Sequence, residues 1–239
     1  MLIYGINPVL EGLRAGRVRS VRVSDRHSER LKALLALASS RQVPVQVVTP
    51  DALTRDARGG VHQGVVAEIT ERDYTLDDLI RDRETPPFLV VLDAIEDPHN
   101  VGAILRTADA AGVDGVVIQS RRAATLGGAA AKASAGAVAH VRVAEVVNIA
   151  RALDDLKKHG VWTVGLAGEA SSRYDELDLT GPTAIVLGAE ESGLRRLVRE
   201  KCDFLTAIPM QGHVDSLNVS VAAGVMLFEV VRQRRGRLP

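Results

Sequence analysis

The stretch FLVVLDAIEDPHNVGAILRTADAAGVDGVVIQ, residues 88–119, predicts a strand, a helix and a second strand in succession. The apolar runs Phe88–Asp93 and Gly115–Gln119 have the length of buried strands. Between them, Asp97 can cap a helix over 98–111, with Pro98 at its start and Gly112 as its stop. Apolar strands that alternate with helices are typical of a parallel sheet covered on both faces, so this stretch indicates an α/β fold.

The same alternation continues on both sides of this stretch. Toward the C-terminus the pattern predicts strands at Val161–Gly165, Thr183–Leu187 and Leu205–Ile208 and helices at 128–138, 146–159, 194–201 and 217–233. Toward the N-terminus it predicts strands at Val18–Val23, Val45–Val48 and Gly64–Ile69 and helices at Glu29–Ala38 and 51–56. Asn7 followed by Pro8 predicts the capped start of one further helix near the N-terminus.

An acidic segment separates the two halves of the chain. The sequence ERDYTLDDLIRDRETPP, residues 71–87, ends in two prolines and is typical of a linker with one short helical turn. We therefore expect a smaller N-terminal α/β domain over residues 1–72, a linker over 73–87 and a C-terminal α/β domain over 88–239.

Composition excludes several classes of function. The single cysteine, Cys202, excludes an internal disulfide and a cysteine-based zinc site, and we expect it to be an inert, partly buried thiol. The histidines are scattered, so we expect no metal. Aromatic residues make up 3% of the chain, which argues against base-stacking platforms. With no signal-peptide pattern and no apolar run of about 18 residues, we expect no membrane contact and a cytoplasmic location.

Charge is unevenly distributed although the net charge is zero. Residues 14–32 hold seven Arg or Lys against two acidic residues, and the tail RQRRGR, residues 232–237, is basic again. The basic N-terminal segment predicts either phosphate contacts or a solvated helix and strand edge, and charge alone does not separate the two.

Three polar clusters follow predicted strands, where ligands bind in open parallel sheets. The first carries Asn100 and Arg106 on the helix after Phe88–Asp93, outside a predicted buried stripe of Val101, Ile104, Leu105 and Ala108. Taken alone, this is either a ligand site or a capped surface helix.

The second and third clusters are AIVLGAEESGL, residues 184–194, and LTAIPMQGHVDSLN, residues 205–218. Gly188 permits close approach of a ligand, although Glu190 also suits the start of an ordinary helix. Ser216 and Asn218 could merely cap the next helix, but a cap needs only one such residue. That helix is apolar nearly all round, which predicts burial.

Together these motifs resemble the SpoU (TrmH-type) family of RNA ribose 2′-O-methyltransferases. The resemblance rests on DPHNVGAILRTADAAGV, VLGAEESGLRRL and IPMQGHVDSLNVSVAAGVMLFE, which occur in the family's order and spacing, and it extends from YGINPVLEGL through VHQGVVA to EVVRQRR. It implies a trefoil-knotted C-terminal domain of the SPOUT superfamily that binds S-adenosylmethionine, a homodimer formed through that domain, and an N-terminal RNA-binding domain like certain ribosomal proteins.

The resemblance also implies roles for particular residues. The functional polar residues would be Asn100, Arg106, Glu190, Ser216 and Asn218, and the cofactor-binding residues would be Gly168, Gly188, Ile208, Met210 and Leu217. The implied reaction is methyl transfer to the ribose 2′-hydroxyl of a guanosine in 23S ribosomal RNA, in the peptidyl-transferase region. The alternatives are a tRNA ribose methyltransferase of the same family and a catalytically silent RNA-binding protein.

The chemistry of this transfer limits what each side chain can do. The sulfonium is already a strong electrophile, so the protein mainly aligns the methyl group with the 2′-oxygen, which is worth about 7–11 kcal/mol. Arg106 stays protonated and is a poor base, so we expect it to grip a phosphate and stabilise developing negative charge. We expect Asn100, Ser216 and Asn218 to orient the ribose and the loop. The proton acceptor is a phosphate oxygen or water.

Overall fold

A computed structural model describes residues 1–25, 28–81, 84–120 and 126–236 of the chain. Their contacts group them into two compact units. The first unit comprises the described parts of Met1–Arg72, Pro98–Arg106 and Ala124–His140, and the second comprises those of Asp73–Asp97, Thr107–Ala123 and Val141–Pro239.

The first unit is built on a mixed four-stranded sheet. Its strands are β1 (Leu2–Tyr4), β2 (Val18–Val23), β3 (Val45–Val47) and β4 (Val65–Ile69). The order is β1-β4-β2-β3, in which β4 runs antiparallel to both neighbours and β2 pairs with β3 in parallel. Three helices connect these strands: α1 (Ile6–Arg14), α2 (Glu29–Ser40) and α3 (Pro50–Asp56). The core contains fully buried Ile3, Leu13, Leu31, Leu34, Leu53 and Ile69.

Helix α1 begins earlier than the sequence predicts, and Asn7 is not its cap. Gly5 occupies the cap position with a φ of 95°, a conformation that glycine adopts at little cost. The amide of Ile6 donates to Gln63 Oε1 at 3.0 Å, so a side chain from another loop satisfies the helix start. Asn7 therefore lies inside the first turn.

The second unit is built on a six-stranded sheet. Its elements are α4 (Leu76–Ile80), β5 (Phe88–Asp93), β6 (Gly115–Gln119), β7 (Val143–Val146), α7 (Ile149–Lys158), β8 (Trp162–Leu166), β9 (Thr183–Gly188), α8 (Arg196–Lys201), β10 (Phe204–Thr206) and α9 (Val219–Arg235). The order is β10-β8-β9-β5-β6-β7 and every pairing is parallel, as predicted. Every residue of β5 is buried, because this strand lies inside the sheet.

Helix α5 (Pro98–Ala110) contributes its first nine residues to the first unit. It begins at the predicted proline, and the predicted stripe of Val101, Ile104, Leu105 and Ala108 is buried. Gly112 follows the helix with a φ of 69°, which confirms it as the stop signal.

The predicted helix over 128–138 is wrong in its second half. The structure has α6 (Gly128–Ala133) and then a separate 3-10 turn over Ala137–Ala139. Ala135 and Gly136 adopt φ values of 52° and 102°, which end the α-helix between the two pieces. The short strands β1 and β7 were not predicted.

The basic segment 14–32 does not present all of its arginines to solvent. Arg17 is 8% exposed, and its guanidinium donates to the carbonyl oxygen of Thr70, so neither a phosphate contact nor a solvated position, the two alternatives for this segment, holds for this residue. Arg22 pairs with Asp56 at 2.6 Å. Arg14, Arg19, Arg30 and Lys32 are exposed. Arg26 and His27, like Arg237 of the basic tail, lie outside the described residues.

Helix α9 is buried on one side only. Met226, Leu227 and Val230 pack inward, whereas Val221 is 52% and Phe228 is 48% exposed. Within a single chain the helix is therefore buried on one side, and an apolar stripe remains on its outer side.

Candidate active site

A cavity of about 150 Å³ opens at the carboxyl ends of strands β8, β9 and β10. It is lined by Leu166, Gly168, Leu187, Gly188, Ala189, Glu190, Gly193, Ile208, Met210, Asp215, Ser216, Leu217, Val219 and Ala222. All five residues predicted to bind the cofactor are among them, together with Glu190 and Ser216. The position agrees with the general rule for ligands in parallel sheets.

The chain segments that leave β8 and β10 are joined by backbone hydrogen bonds at the edge of the cavity. The amide of Ala167 donates to the carbonyl of Thr206 at 2.9 Å, and the amide of Ala207 donates to the carbonyl of Ser172 at 2.9 Å. These bonds hold the segment that carries Gly168 against the segment that leads to Ile208 and Met210.

Two positions that line the cavity are occupied by glycine for different physical reasons. A Cβ at Gly188 would lie 2.2 Å from the carbonyl carbon of Gly193, because the loop after β9 folds back tightly and the amide of Gly193 donates to Ala189. Gly188 is thus required by the loop itself. A Cβ at Gly168 would meet no described protein atom within 4 Å, so a side chain at this position would enter open space.

The loop after β9 is fixed at its far end by an ion pair that sequence reasoning missed. Asp93, at the end of β5, is fully buried and accepts from the backbone amide of Arg195 at 2.9 Å and from its Nε at 2.7 Å. Arg195 Nη2 also donates to Gln119 Oε1 at 2.8 Å. The signal in the sequence was the acidic residue that ends the apolar run FLVVLD.

Glu190 and Asn218 join the second and third polar clusters. Asn218 Nδ2 donates to Glu190 Oε1, which also accepts from the amide of Val219 at 3.4 Å. Asn218 Oδ1 accepts from the amide of Ser220 at 2.9 Å and so caps helix α9. Ser216 is not the cap of this helix, since Asn218 holds that position, and the hydroxyl of Ser216 donates to Asp215 Oδ1 instead.

Asn100 and Arg106 lie on helix α5 and are not among the residues that line the cavity. Asn100 is 8% exposed, whereas Arg106 is exposed to solvent. The structure thus brings Glu190, Ser216 and Asn218 together with the predicted cofactor residues, and it leaves the first polar cluster outside that group.

The charge of the lining suits a cationic ligand. Glu190 and Asp215 contribute carboxylates, and among the described residues that line the cavity there is no Lys or Arg. Leu166, Leu187 and Ile208 contribute apolar surface. An apolar cavity with a few polar groups is the usual form of a small-molecule site.

The described residues include neither a metal-binding cluster nor a membrane-spanning helix. In that part of the chain, no group of three or more His, Cys, Asp or Glu could hold a metal ion. No described helix is long and apolar enough to cross a membrane.

These features define an α/β protein with a ligand cavity at the carboxyl ends of a parallel sheet. Comparison with known families narrows that class: the chain belongs to the SpoU rRNA Methylase family, whose model matches residues 87–228. A second family model, described as RNA 2′-O ribose methyltransferase substrate binding, matches residues 2–75.

Individual relatives agree with this family over the whole chain. The 23S rRNA (guanosine-2′-O-)-methyltransferase RlmB of Pseudomonas putida is 46% identical over 98% of this chain and 96% of its own length. The protein of the same name from Yersinia pestis is 47% identical over 98% of this chain and 97% of its own length. The SpoU methyltransferase AviRb from Streptomyces viridochromogenes, solved with AdoMet, has a TM-score of 0.84 and 27% identity and covers 99% of this chain and 91% of its own.

Proposed function

We propose that this chain transfers a methyl group from S-adenosylmethionine to the ribose 2′-hydroxyl of a guanosine in 23S rRNA. The observation that carries the proposal is the cavity itself, which gathers Gly168, Glu190 and Ser216 from the segments that follow three neighbouring strands. Relatives at about 45% identity over nearly the full length carry the name of that activity.

The residues of the cavity fit S-adenosylmethionine. The bound cofactor would supply an electrophilic methyl group on a sulfonium. Glu190 and Asp215 provide negative charge near that cation, and Gly168, Ile208, Met210 and Leu217 provide backbone and apolar surface for the rest of the molecule. Gly188 keeps the loop closed around the cavity.

The polar residues have separate tasks in this proposal. Glu190 fixes Asn218 and the start of α9, so that Ser216 and Asn218 present their polar groups to the ribose in one arrangement. Arg106 stays charged and stabilises the phosphate and the developing alkoxide, and Asn100 orients the ribose. The 2′-oxygen passes its proton to a phosphate oxygen or to water.

The organisation of the chain follows from the same proposal. Residues 1–72 bind the large-subunit rRNA, 73–87 are a linker and 88–239 form the methyltransferase domain, with a trefoil knot where the segments after β8 and β10 meet. The family matches over 2–75 and 87–228 support this division. Exposed Arg14, Arg19, Arg30 and Lys32 would contact phosphates. In this proposal the protein acts on ribosomal RNA in the cytoplasm.

The apolar stripe on α9 is covered by a second copy of this chain in the proposed homodimer. Val221, Val225 and Phe228 are spaced by four and three residues and therefore share one side of the helix. Two of them are about half exposed, and a self-complementary contact between two such helices would bury both stripes.

A variant that fills the cavity tests the cofactor site. Gly168 has open space around its missing Cβ, so Gly168→Val should leave the free energy of unfolding nearly unchanged and weaken S-adenosylmethionine binding about 10-fold or more. Gly181→Val is the matched control, because Gly181 also has open space and does not line the cavity. Calorimetric titration with S-adenosylmethionine measures the affinity of each variant. Equal affinities for the two variants would contradict the proposed site.

A further inference from the structure

The buried guanidinium of Arg17 joins three chain segments within the first unit. Its Nε and Nη2 donate to the carbonyl of Thr70 at 3.2 and 2.9 Å, and its Nη1 donates to the carbonyls of Val138 and Ala139 at 3.0 and 3.2 Å. At 8% exposure this charge is out of reach of a macromolecular ligand. A buried charge is retained only where its hydrogen bonds are satisfied, and here backbone carbonyls satisfy them.

Further contacts hold the segment 128–140, here called the brace, to the N-terminal residues. His140 Nε2 lies 2.9 Å from Glu11 Oε2, and Lys132 Nζ donates to the carbonyl of Val61 at 3.0 Å. A Cβ at Gly136 would lie 2.6 Å from the Cβ of Glu11, so the brace also packs tightly against helix α1. Together with the bonds of Arg17, the brace is therefore fixed to the N-terminal residues at three separate places, Glu11, Arg17 and Val61.

The brace also contacts the helix that carries Asn100 and Arg106. A Cβ at Gly102 would lie 2.4 Å from the Cβ of Ala133 and 2.6 Å from the carbonyl oxygen of Ala130. Such an approach is possible only because residue 102 is glycine. The first turns of α5 thus pack directly on helix α6.

We propose that the brace sets the position of Asn100 and Arg106 relative to the RNA-binding residues, and that Arg17 is the positioning residue that locks it. The inference rests on the proposed function and deepens it, because it states how RNA held by residues 1–72 is aligned with Asn100 and Arg106. Arg17 acts through the brace and touches neither substrate nor cofactor. Without the hydrogen bonds from Arg17 to the brace, RNA and cofactor remain bound, but the ribose and Arg106 are no longer held in alignment. A shift of about 1 Å can slow a reaction by about 100-fold.

The test compares Arg17→Met with Arg41→Met in single-turnover methyl transfer to a 23S rRNA fragment, at saturating RNA and S-adenosylmethionine. Arg41 is the matched control, because it is an exposed arginine of the same unit that donates to one backbone carbonyl, that of Arg14 at 3.5 Å. We expect Arg17→Met to lower the rate constant 10-fold or more and Arg41→Met to leave it unchanged. The dissociation constants of RNA and cofactor should stay within about 3-fold for both. Simple loss of folded protein would lower the amplitude of the reaction and leave its rate constant as it was.

Gly102→Ala provides a second route if Arg17→Met does not fold. Alanine strengthens the helix itself, but its methyl group pushes α5 away from the brace. The rate constant should fall while cofactor affinity is unchanged. Folded variants that react at the wild-type rate overturn the inference, and so does a slow reaction explained by weakened RNA binding. A wild-type chain that transfers no methyl group to the fragment instead overturns the proposed function.

Discussion

Glu190 and Asn218 are joined by a hydrogen bond across 28 positions of the sequence, in which Asn218 Nδ2 donates to Glu190 Oε1. One residue belongs to the loop after β9 and the other caps helix α9. The bond couples the loop to the start of the helix, because movement of either one would displace the other.

Substitution at Asn218 separates its capping role from its contact with Glu190. Serine also caps helices but is too short to donate to Glu190, so Asn218→Ser should keep the stability that Asn218→Ala loses, about 1 kcal/mol. Both variants should slow methyl transfer about 10-fold or more, because both release the loop. Thermal unfolding and a methyl-transfer assay measure the two effects. Full activity of Asn218→Ser would show that the Glu190 contact is dispensable.

The ion pair between Asp93 and Arg195 predicts a cost in stability. Arg195→Met leaves a fully buried carboxylate without its charged partner, so the free energy of unfolding should fall by about 3 kcal/mol, the low end for such pairs because Arg195 is partly exposed. Arg196→Met is the control: its exposed pair with Glu200 should contribute less than about 1 kcal/mol. Urea unfolding compares the two. Equal urea midpoints for the two variants would contradict the claim that the ion pair between Asp93 and Arg195 stabilises the protein.

Long elements and the cavity could be predicted from the sequence, because their signals are local. Val18–Val23, Phe88–Asp93 and Gly115–Gln119 are strands with the predicted bounds. The last two contain continuous apolar runs, whereas the first is rich in valine and interrupted by polar residues. Polar and glycine residues directly after such strands pointed to Gly188 and Glu190, and the resemblance added Gly168, Ile208 and Met210.

What could not be predicted depends on contacts between distant residues. The cap of α1 moved to Gly5 because Gln63 reaches its first amide, and Arg17 became buried because Thr70, Val138 and Ala139 surround it. Neither sequence neighbourhood contains that information. A basic segment has the same composition whether its arginines contact RNA or backbone carbonyls.

The stripe on α9 predicts the oligomeric state. Phe228→Glu places a charge on each of two facing helices, so the proposed dimer should dissociate. Leu197→Glu is a matched control, because Leu197 and Phe228 are both 48% exposed but lie on different helices. Sedimentation at micromolar concentration should give a monomer for Phe228→Glu and a dimer for the control. A dimer in both cases would place the interface elsewhere.

The chemistry of Cys202 predicts slow alkylation of the native protein. Burial raises the pKa of its thiol to about 12, so very little thiolate is present at pH 8. Reaction with iodoacetamide should therefore be about 10³-fold slower than in urea-unfolded protein, and it should quicken as pH rises toward the native pKa. Mass spectrometry follows the modification. Equal rates for native and unfolded chains would show that burial does not raise the pKa of this thiol.

The measurement that tests the central claim most directly is methyl transfer from labelled S-adenosylmethionine to a 23S rRNA fragment and to bulk tRNA, at matched salt. The wild-type chain should modify the rRNA fragment far better, with 2′-O-methylguanosine as the product found after digestion. Arg106→Ala should lower the rate by about 100-fold or more without weakening cofactor binding, because it removes a group that stabilises the transition state. Preferential methylation of tRNA would contradict the assignment to rRNA, and undiminished transfer by Arg106→Ala would contradict the role given to that residue.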